Sequence, residues 1–577
     1  MNTNVCVHLR FFVEPISKQF VSFVSLIKKK RMSILNLKNI LITCIISLCS
    51  MCISLPFHGW SLDNSMWNWT CYFFIISSMV ITTILRNICT SKRCSPFSKG
   101  EIIGSFVLCI LYIHLYNKGI NLYDSIKILA AICLYLTFKE IRKNFDCKKI
   151  VLYFLFINSI LSISVWLLQI TFNQFLYNIH QPVCHITLSI VFGGIAISEL
   201  AQTSNIKKSL FIFYLFTCLT ILFFIQSRIG IIAFASCICM FIHKKIRIII
   251  LTISTICIIL LFIQKEKSTL GRKNIYLTTV SMLDTPKQIL FGMGADGFKS
   301  SYMPTQAEML KTYSDEEKYL ADNISHPLNE YLLLATNYGI YALVLIILVI
   351  SSLLQIKNIK RSTMALLIAI ALFSMFSYPF SYPITWIVLV WSLFNGNQQC
   401  KWNFDGYKYV YTISGIVCLC FSIYLFRLME QWEQANKLRT IGKLNASHII
   451  YKNIYNSPYY PQEFLYNYAS FLLQVRKANL SFRILNECKI NNYDTELLKG
   501  DIYYYQRRYS SAIKHYQKAS EMCPNRFIPL YAMYLSSGLA DKKQLQKILA
   551  QKILEKPIKI KSPTITKIIN NVKQNNF

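Results

Sequence analysis

The sequence predicts an all-α protein that crosses a membrane many times. Of its 577 residues, 54% are hydrophobic and only 15% are charged, and the mean hydropathy is +0.39. A soluble domain carries about a quarter charged residues, so this composition argues against an ordinary cytosolic enzyme. Apolar runs of about 15 to 25 residues recur from Ile40 to Phe426, and most are long enough to cross a hydrocarbon core about 30 Å thick.

These apolar runs predict about thirteen membrane crossings. Their approximate positions are 39–55, 67–85, 101–116, 125–139, 150–171, 186–202, 209–226, 229–243, 246–264, 331–355, 362–377, 382–396 and 409–427.

The basic residues between the runs predict the orientation of the chain. Clusters such as Lys28–Arg31, Lys139–Lys149 and Lys244–Arg247 fall on one side, whereas Lys118 is the only basic residue in the short loops of the opposite side. Lysine and arginine accumulate on the cytoplasmic side, so the N-terminus is predicted to be cytoplasmic and the C-terminal region to lie outside. The net charge of +34 therefore reflects membrane topology, and we do not predict a nucleic-acid partner.

The same pattern divides the chain into three parts. Residues 1–31 are a predicted cytoplasmic segment, with Met32 as an alternative start, and 32–427 form the membrane domain. Two large pieces lie outside the membrane: a loop at 265–329, and a tail at 428–577. Loops as long as the first one usually carry function.

The tail contains an internal repeat. Its marker residues stand at offsets 0, 3, 12, 16, 19 and 24 and resemble the tetratricopeptide pattern: Gly500, Tyr503, Ala512, Tyr516, Ala519 and Pro524. Ala478 and Phe482 lie 34 residues before Ala512 and Tyr516, and a weaker third unit follows from Arg526. We expect a helical-repeat domain that holds a protein partner or positions a substrate; a generic helical hairpin is the alternative.

Arg228 is the first candidate for chemistry. It stands in Gln226–Gly230, a very short break between two apolar runs. An arginine at membrane depth is costly unless it snorkels or is paired. Arg228 either snorkels and anchors a helix end, or its guanidinium binds an anion. The second alternative is chemically suitable because the planar set of guanidinium N–H donors matches the oxygens of a phosphate.

Arg272 is the second candidate, in the Gly-Arg pair that opens the outer loop. Alone it would be an ordinary interfacial cation. It is followed by a glycine-rich turn, Phe291–Phe298. That turn has no preceding strand and no following Lys-Ser/Thr, so it is not a nucleotide-binding phosphate loop.

His326 is the third candidate, in Ser-His-Pro-Leu-Asn-Glu-Tyr-Leu just before a long apolar run. Proline suits the first turn of a helix, so Ser325 or His326 is predicted to cap that helix. The histidine either caps the helix and faces water, or serves as a general base at the rim of an outward-facing cavity. The twenty cysteines lie mostly in apolar runs without metal spacing, so neither a metal nor a cofactor is predicted.

Taken together, these motifs resemble the O-antigen ligase superfamily, which includes O-antigen polymerases and bacterial O-linked oligosaccharyltransferases. The resemblance rests on Ser-Arg at a helix break, Gly-Arg opening the loop, the Gly-x-Gly turn, and His…Asn-Glu-Tyr-Leu before Tyr338-Gly339-Ile340. The motifs cover about residues 185–355, and some members carry a similar tail. The resemblance implies an enzyme of the bacterial inner membrane that moves a glycan from undecaprenyl pyrophosphate to a hydroxyl acceptor, such as lipid A-core, at the periplasmic face.

The resemblance also implies roles for these residues. Arg228 and Arg272 would bind the departing pyrophosphate, and His326 would take or orient the proton of the acceptor hydroxyl. Asn329 and Glu330 would contact substrate. The reaction would be a direct displacement that needs no metal or nucleotide.

The chain departs from the family pattern in two places. His326 and Asn329 are separated by Pro327-Leu328, where many members have histidine and asparagine adjacent, and Gln181-Pro182 replaces an Asn-Pro pair. His180 and His185 flank that pair and are interpreted as interfacial residues.

Three kinds of alternative stay open: another acceptor within the family, and two functions outside the family. Within the family, the acceptor distinguishes a ligase from a polymerase and from a protein O-glycosylating enzyme. Outside it, a lipid-glycan flippase or transporter also has many crossings and intramembrane arginines. A scaffold that uses the repeats for docking is the third alternative, and it would need neither Arg272 nor His326.

Overall fold

A computed structural model describes residues 64–90, 97–141, 147–171, 183–203, 208–354, 359–396 and 407–576. Within these ranges the chain is helical and forms no β-strand, as predicted. The first predicted crossing at 39–55, the segment 1–31 and His180 lie outside the described residues.

Every other predicted crossing coincides with a helix. These helices are α1 (Asn64–Thr90), α2 (Lys99–Asn117), α3 (Leu122–Ile141), α4 (Cys147–Thr171), α5 (Val183–Thr203), α6 (Lys208–Phe224), α7 (Arg228–Ile238), α8 (Lys244–Gln264), α13 (Glu330–Leu353), α14 (Arg361–Phe376), α15 (Pro383–Gly396) and α16 (Tyr407–Thr440). Helix α5 is central: it packs against α4, α6, α7 and α14, and its apolar stretch is 94% buried.

Five of the described helices are long and apolar enough to cross a membrane by themselves. They are α1, α2, α5, α13 and α16, and a sixth span results if α8 is taken together with the helix that follows it after an 82° bend. The others are shorter; α7, with 11 residues, is about 17 Å long at 1.5 Å per residue. A polytopic all-α membrane protein is thus confirmed, whereas thirteen full crossings stay a prediction.

The segment at 265–329, predicted as a long loop, consists mainly of helices. They are α9 (Glu266–Ser281), α10 (Pro286–Phe291), α11 (Gly297–Met309) and α12 (Asp315–Leu320). Thr285 and Ser314 cap α10 and α12 in capping boxes with Gln288 and Glu317. We call residues 265–329 the outer segment, after their predicted location outside the membrane.

The glycine-rich turn joins the outer segment to α13. Helix α13 is broken at Gly339, where φ is 79°, and Gly292 of the turn has a φ of 70°. The backbone amide of Met293 donates to the carbonyl of Thr336 at 2.8 Å. A Cβ atom at Gly339 would lie 2.2 Å from the carbonyl oxygen of Leu290, so the two backbones meet at a distance that only glycine permits.

The tail continues from the C-terminal part of α16. Its helices follow in pairs joined by short turns: α17 (Leu444–Tyr455), α18 (Gln462–Gln474), α19 (Ala478–Glu487), α20 (Tyr493–Tyr505), α21 (Tyr509–Met522), α22 (Ile528–Leu539), α23 (Lys543–Glu555) and α24 (Pro563–Asn576). In the predicted repeat, Gly500 lies directly against the buried ring of Tyr516. The tetratricopeptide assignment itself stays a prediction.

The tail packs onto the outer segment. One buried apolar cluster combines Phe298, Tyr302 and Met303 of α11 with residues of the tail, among them Met522 and Cys523. Residues 265–329 and the tail therefore share part of one core.

Candidate active site

Arg228 begins α7 directly after a tight turn, where the sequence predicted a break. In that turn Gln226 has a φ of 58°, and Ser227 caps the helix by accepting a hydrogen bond from the amide of Gly230 at 3.1 Å. The Arg228 Nη1 atom donates to the hydroxyl of Thr269 in α9 at 2.6 Å. The guanidinium is therefore held towards the start of the outer segment.

Lys265 lies at the bend between α8 and α9 and adds a third cation. Its Nζ atom donates to the carbonyl of Gln226 at 3.1 Å. Burial and the nearby positive charges of Arg228 and Arg272 lower the pKa of Lys265. Mutual repulsion among three cations is relieved by an anion, so this cluster is electrostatically suited to bind one.

Arg272 lies in α9 and contacts the end of α14. Its Nη1 atom donates to the carbonyl of Phe376, the last residue of that helix, at 2.8 Å. One turn further along α9, the hydroxyl of Tyr276 donates to the carbonyls of Met375 at 3.2 Å and Leu328 at 3.3 Å. Burial raises the pKa of Tyr276, and the charge of Arg272 opposes that rise. Helix α9 thus links α14 to the segment that carries His326.

His326 lies between Leu328 and Glu330. Its Nδ1 atom accepts the amide hydrogen bond of Leu328 at 2.9 Å, and its Nε2 atom is 3.8 Å from the Glu330 carboxylate. The Nε2 atom itself is buried and has no hydrogen-bond partner among the described residues. With Nδ1 engaged as an acceptor, the neutral ring carries its hydrogen on Nε2.

Helix α13 begins at Glu330, and Asn329 is its cap. The Asn329 side-chain oxygen accepts from the amide of Leu332 at 3.0 Å. The prediction that Ser325 or His326 caps this helix is wrong, because Leu328 adopts a φ of 55° and the helix starts only after it. Glu330 is 6% exposed and accepts from the amide of Phe380 at 3.0 Å.

Tyr378 connects the two halves of the site. Its ring centroid is 5.4 Å from that of His326, and burial, followed by the Cys184 thiol, raises its pKa, whereas Arg272 lowers it. The structure therefore brings Arg272, Tyr378, His326 and Glu330 into one region, to which Arg228 and Lys265 are joined through α9.

Sequence reasoning missed Lys265, Tyr276 and Tyr378. The signal for Tyr378 was the run Ser-Tyr-Pro-Phe-Ser-Tyr-Pro at 377–383, an aromatic outer loop that the charge pattern had already placed on the same side. His185, interpreted as interfacial, is 2% exposed, and its ring lies 5.3 Å from that of Tyr382. Across the described ranges, no group of three or more His, Cys, Asp or Glu residues is arranged to hold a metal ion.

Fold and site together define a polytopic helical membrane protein with clustered cations beside a histidine–carboxylate pair. Residues 213–347 match the family model of O-antigen ligase, and this range includes Arg228, Lys265, Arg272, His326 and Glu330. The predicted resemblance to the O-antigen ligase superfamily is thereby confirmed over these residues, and members of that family are glycosyltransferase-like enzymes. No curated protein matches the chain.

Proposed function

We propose that the protein transfers a glycan from undecaprenyl pyrophosphate to a hydroxyl of lipid A-core at the periplasmic face of the bacterial inner membrane. The observation that carries this proposal is the position of Arg272, which lies near Arg228 and Lys265 and also near Tyr378, whose ring packs against His326 of the His326–Glu330 pair; all but Tyr378 fall within one O-antigen ligase match. The orientation follows from the positive-inside pattern, which puts the N-terminus in the cytoplasm and the tail in the periplasm.

The cations would hold the pyrophosphate. Arg272 bonds a neutral backbone carbonyl, and among the described residues it forms no salt bridge, so a phosphate oxygen can replace that carbonyl at small cost. Hydrogen bonds from guanidinium to phosphate are shorter and about twice as strong as those between neutral groups. As the bond from the anomeric carbon to the pyrophosphate breaks, charge grows on the leaving oxygens and these contacts strengthen.

His326 and Glu330 would handle the acceptor. In the tautomer that the Leu328 hydrogen bond favours, Nε2–H would donate to the acceptor hydroxyl oxygen and orient it, and the Glu330 carboxylate, 3.8 Å from Nε2, would take the proton. If the imidazole instead turned so that Nδ1, which carries no hydrogen, faced the acceptor hydroxyl, His326 itself would be the base. In both cases the hydroxyl oxygen attacks the anomeric carbon as the pyrophosphate leaves, which inverts that carbon.

Asn329 and Glu330 were predicted to contact substrate. The Asn329 oxygen is engaged in the helix cap, so the amide nitrogen is the part of that side chain that could reach a glycan. Glu330 is mostly buried, and its proposed contact is with the reacting hydroxyl alone.

The test compares lipopolysaccharide and carrier-linked glycans in cells that produce the wild type, Arg272→Ala, His326→Ala or no protein. A ligase predicts loss of capped lipopolysaccharide with accumulation of long glycans on the carrier. Single-repeat caps without long carrier-linked chains would mean a polymerase. Unchanged pools in every strain would contradict both and favour protein O-glycosylation, transport or scaffolding.

A further inference from the structure

The chain just before His326 is held by the tail. The Arg526 guanidinium is 2.6 Å from the Asp322 carboxylate, and the Asn323 amide donates to Asp494 at 2.7 Å. Both tail residues lie far along the sequence, near the ends of α21 and α20. Two consecutive side chains of the segment are therefore bonded to the tail.

Backbone groups of the same segment are also bonded. The Asn525 amide donates to the carbonyls of Tyr319, at 3.1 Å, and Ala321. Gln306, which is 6% exposed, donates from one amide to the carbonyl of Asp322 at 3.0 Å and to that of Met522 in the tail at 2.8 Å. Because backbone and side chains are both engaged, residues 319–323 are fixed in position and not merely covered.

His326 is thus located between two anchors. On its N-terminal side are the tail contacts, which end at Asn323. On its C-terminal side, Pro327 is buried, the carbonyl of Leu328 accepts from Tyr276, and Asn329 caps α13. Residues 324–326 connect these anchors, so a shift of the first anchor moves the imidazole relative to Glu330.

We propose that Asp494, Asn525 and Arg526 are positioning residues, which set the place of His326 by holding residues 319–323. The inference rests on the proposed role of His326 in transfer. The surface of the predicted repeat domain that carries these three residues is thereby occupied by the chain's own outer segment. An additional protein partner would have to bind another face of the tail.

The experiment uses the full-length protein in detergent or nanodiscs. The test variants are Asn525→Ala with Arg526→Ala, Arg526→Asp, and the charge exchange Arg526→Asp with Asp322→Arg. Arg508→Ala is the matched control, because Arg508 is an exposed tail arginine outside this contact. The measurements are kcat and KM for transfer to a hydroxyl acceptor, the amount of folded protein, and hydrogen–deuterium exchange of residues 319–328.

We expect the double alanine variant and Arg526→Asp to lower kcat about 10- to 100-fold, since displacement of a reacting group by 1 Å can cost about that much. KM for the lipid donor should stay within about twofold, because the cations on α7 and α9 are untouched. Exchange of residues 319–328 should rise, the amount of folded protein should stay at the control level, and the charge exchange should restore part of kcat.

Two results would overturn the proposal. One is wild-type kcat in variants whose exchange at 319–328 has risen; the other is unchanged exchange at 319–328. His326→Ala is assayed in parallel, and its full activity would refute the role of His326 on which this inference rests, whereas absence of transfer by the wild type would refute the proposed function. In either case, exchange would still report whether the tail holds the segment.

Discussion

Replacement of Gly339 by alanine should disrupt the joint between the outer segment and α13. Gly339 has a φ of 79° and a ψ of 171°, a region of backbone space that is essentially restricted to glycine. Its new Cβ atom would lie 2.2 Å from the Leu290 carbonyl oxygen and 2.4 Å from the carbonyl carbon. Neither neighbour is a flexible side-chain end, so one backbone must move.

The cost has two parts. The backbone strain at such a position is about 1–3 kcal/mol. Relief of the clash requires α10 to move about 1 Å away from α13, which lengthens the 2.8 Å hydrogen bond from Met293 to Thr336; a buried group left unpaired costs about 1–3 kcal/mol. The two together make about 2–6 kcal/mol, a large part of the about 5–15 kcal/mol that stabilises a typical domain.

Gly442 and Gly119 are matched controls. They have φ values of 79° and 76°, but an added Cβ would meet no atom within 4 Å at either position. Gly442→Ala and Gly119→Ala therefore carry strain without the clash, and each should cost about 1–3 kcal/mol.

The assay is thermal unfolding of the purified variants in detergent, followed by size-exclusion chromatography after heating. Gly339→Ala should unfold at a clearly lower temperature than both controls and should accumulate less in membranes. If Gly339→Ala matched Gly442→Ala in unfolding temperature, the reasoning would be refuted, because the contact between the added Cβ and the Leu290 carbonyl would then have no measurable free-energy cost.

Four further predictions follow from the site and the tail. Arg272→Ala should lower transfer about 100-fold or more, and Arg272→Lys should recover only part of it, because lysine lacks the planar fork; equal rates for arginine and lysine would contradict this. Tyr276→Phe removes the single hydroxyl hydrogen that the carbonyls of Met375 and Leu328 share at long distances, and it should cost at most about 1 kcal/mol of stability, measured by denaturation. Burial alone would raise the pKa of Glu496, but hydrogen bonds from His515 and Lys499 and their charges lower this pKa to about 2. The ionised Glu496 therefore stabilises the fold above the unfolded pKa of about 4.5, and this stabilisation is lost as the pH falls towards 2. Glu496→Gln should flatten the acid-induced fall in unfolding temperature. Truncation after Thr440 removes the tail residues that cover Phe298, Tyr302 and Met303, which are each 1% exposed. Burial of each of these side chains contributes about 1.5–3 kcal/mol, so the truncated protein should be scarce in membranes. A blot of the membrane fraction measures this.

Sequence reasoning predicted most of the membrane helices because membrane crossings have a strong local signal. Continuous apolar runs located every described helix from α1 to α8 and from α13 to α16. The helices of the outer segment carry no such signal: α10 and α12 have six residues each, and α9 is polar overall. Capping boxes mark the starts of α10 and α12 alone, and such short patterns are also common in loops.

The candidate site was predicted as single residues but not as an arrangement. Arg228, Arg272 and His326 stand at breaks in the apolar pattern, where a charged or titratable residue is conspicuous. The roles inferred for Lys265 and Tyr378 depend on neighbours that are far away in the sequence, so no local pattern indicates them. The contact of the tail with residues 319–323 could not be predicted at all, because each side of it is an ordinary polar sequence.

Two backbone positions show why this arrangement can be rigid before substrate arrives. Gln226 and Leu328 are non-glycine residues with positive φ, and each lies two residues from a candidate catalytic group, Arg228 or His326. Such conformations persist only where the surroundings hold them. Here the carbonyl of Gln226 accepts from Lys265, and that of Leu328 accepts from Tyr276. The cation cluster and α9 thus stabilise the strained turns that present the two groups, so the electrostatic arrangement does not have to be assembled during the reaction. It follows that substitutions at Lys265 or Tyr276 should affect catalysis partly through the backbone, in addition to any contact these side chains make with substrate.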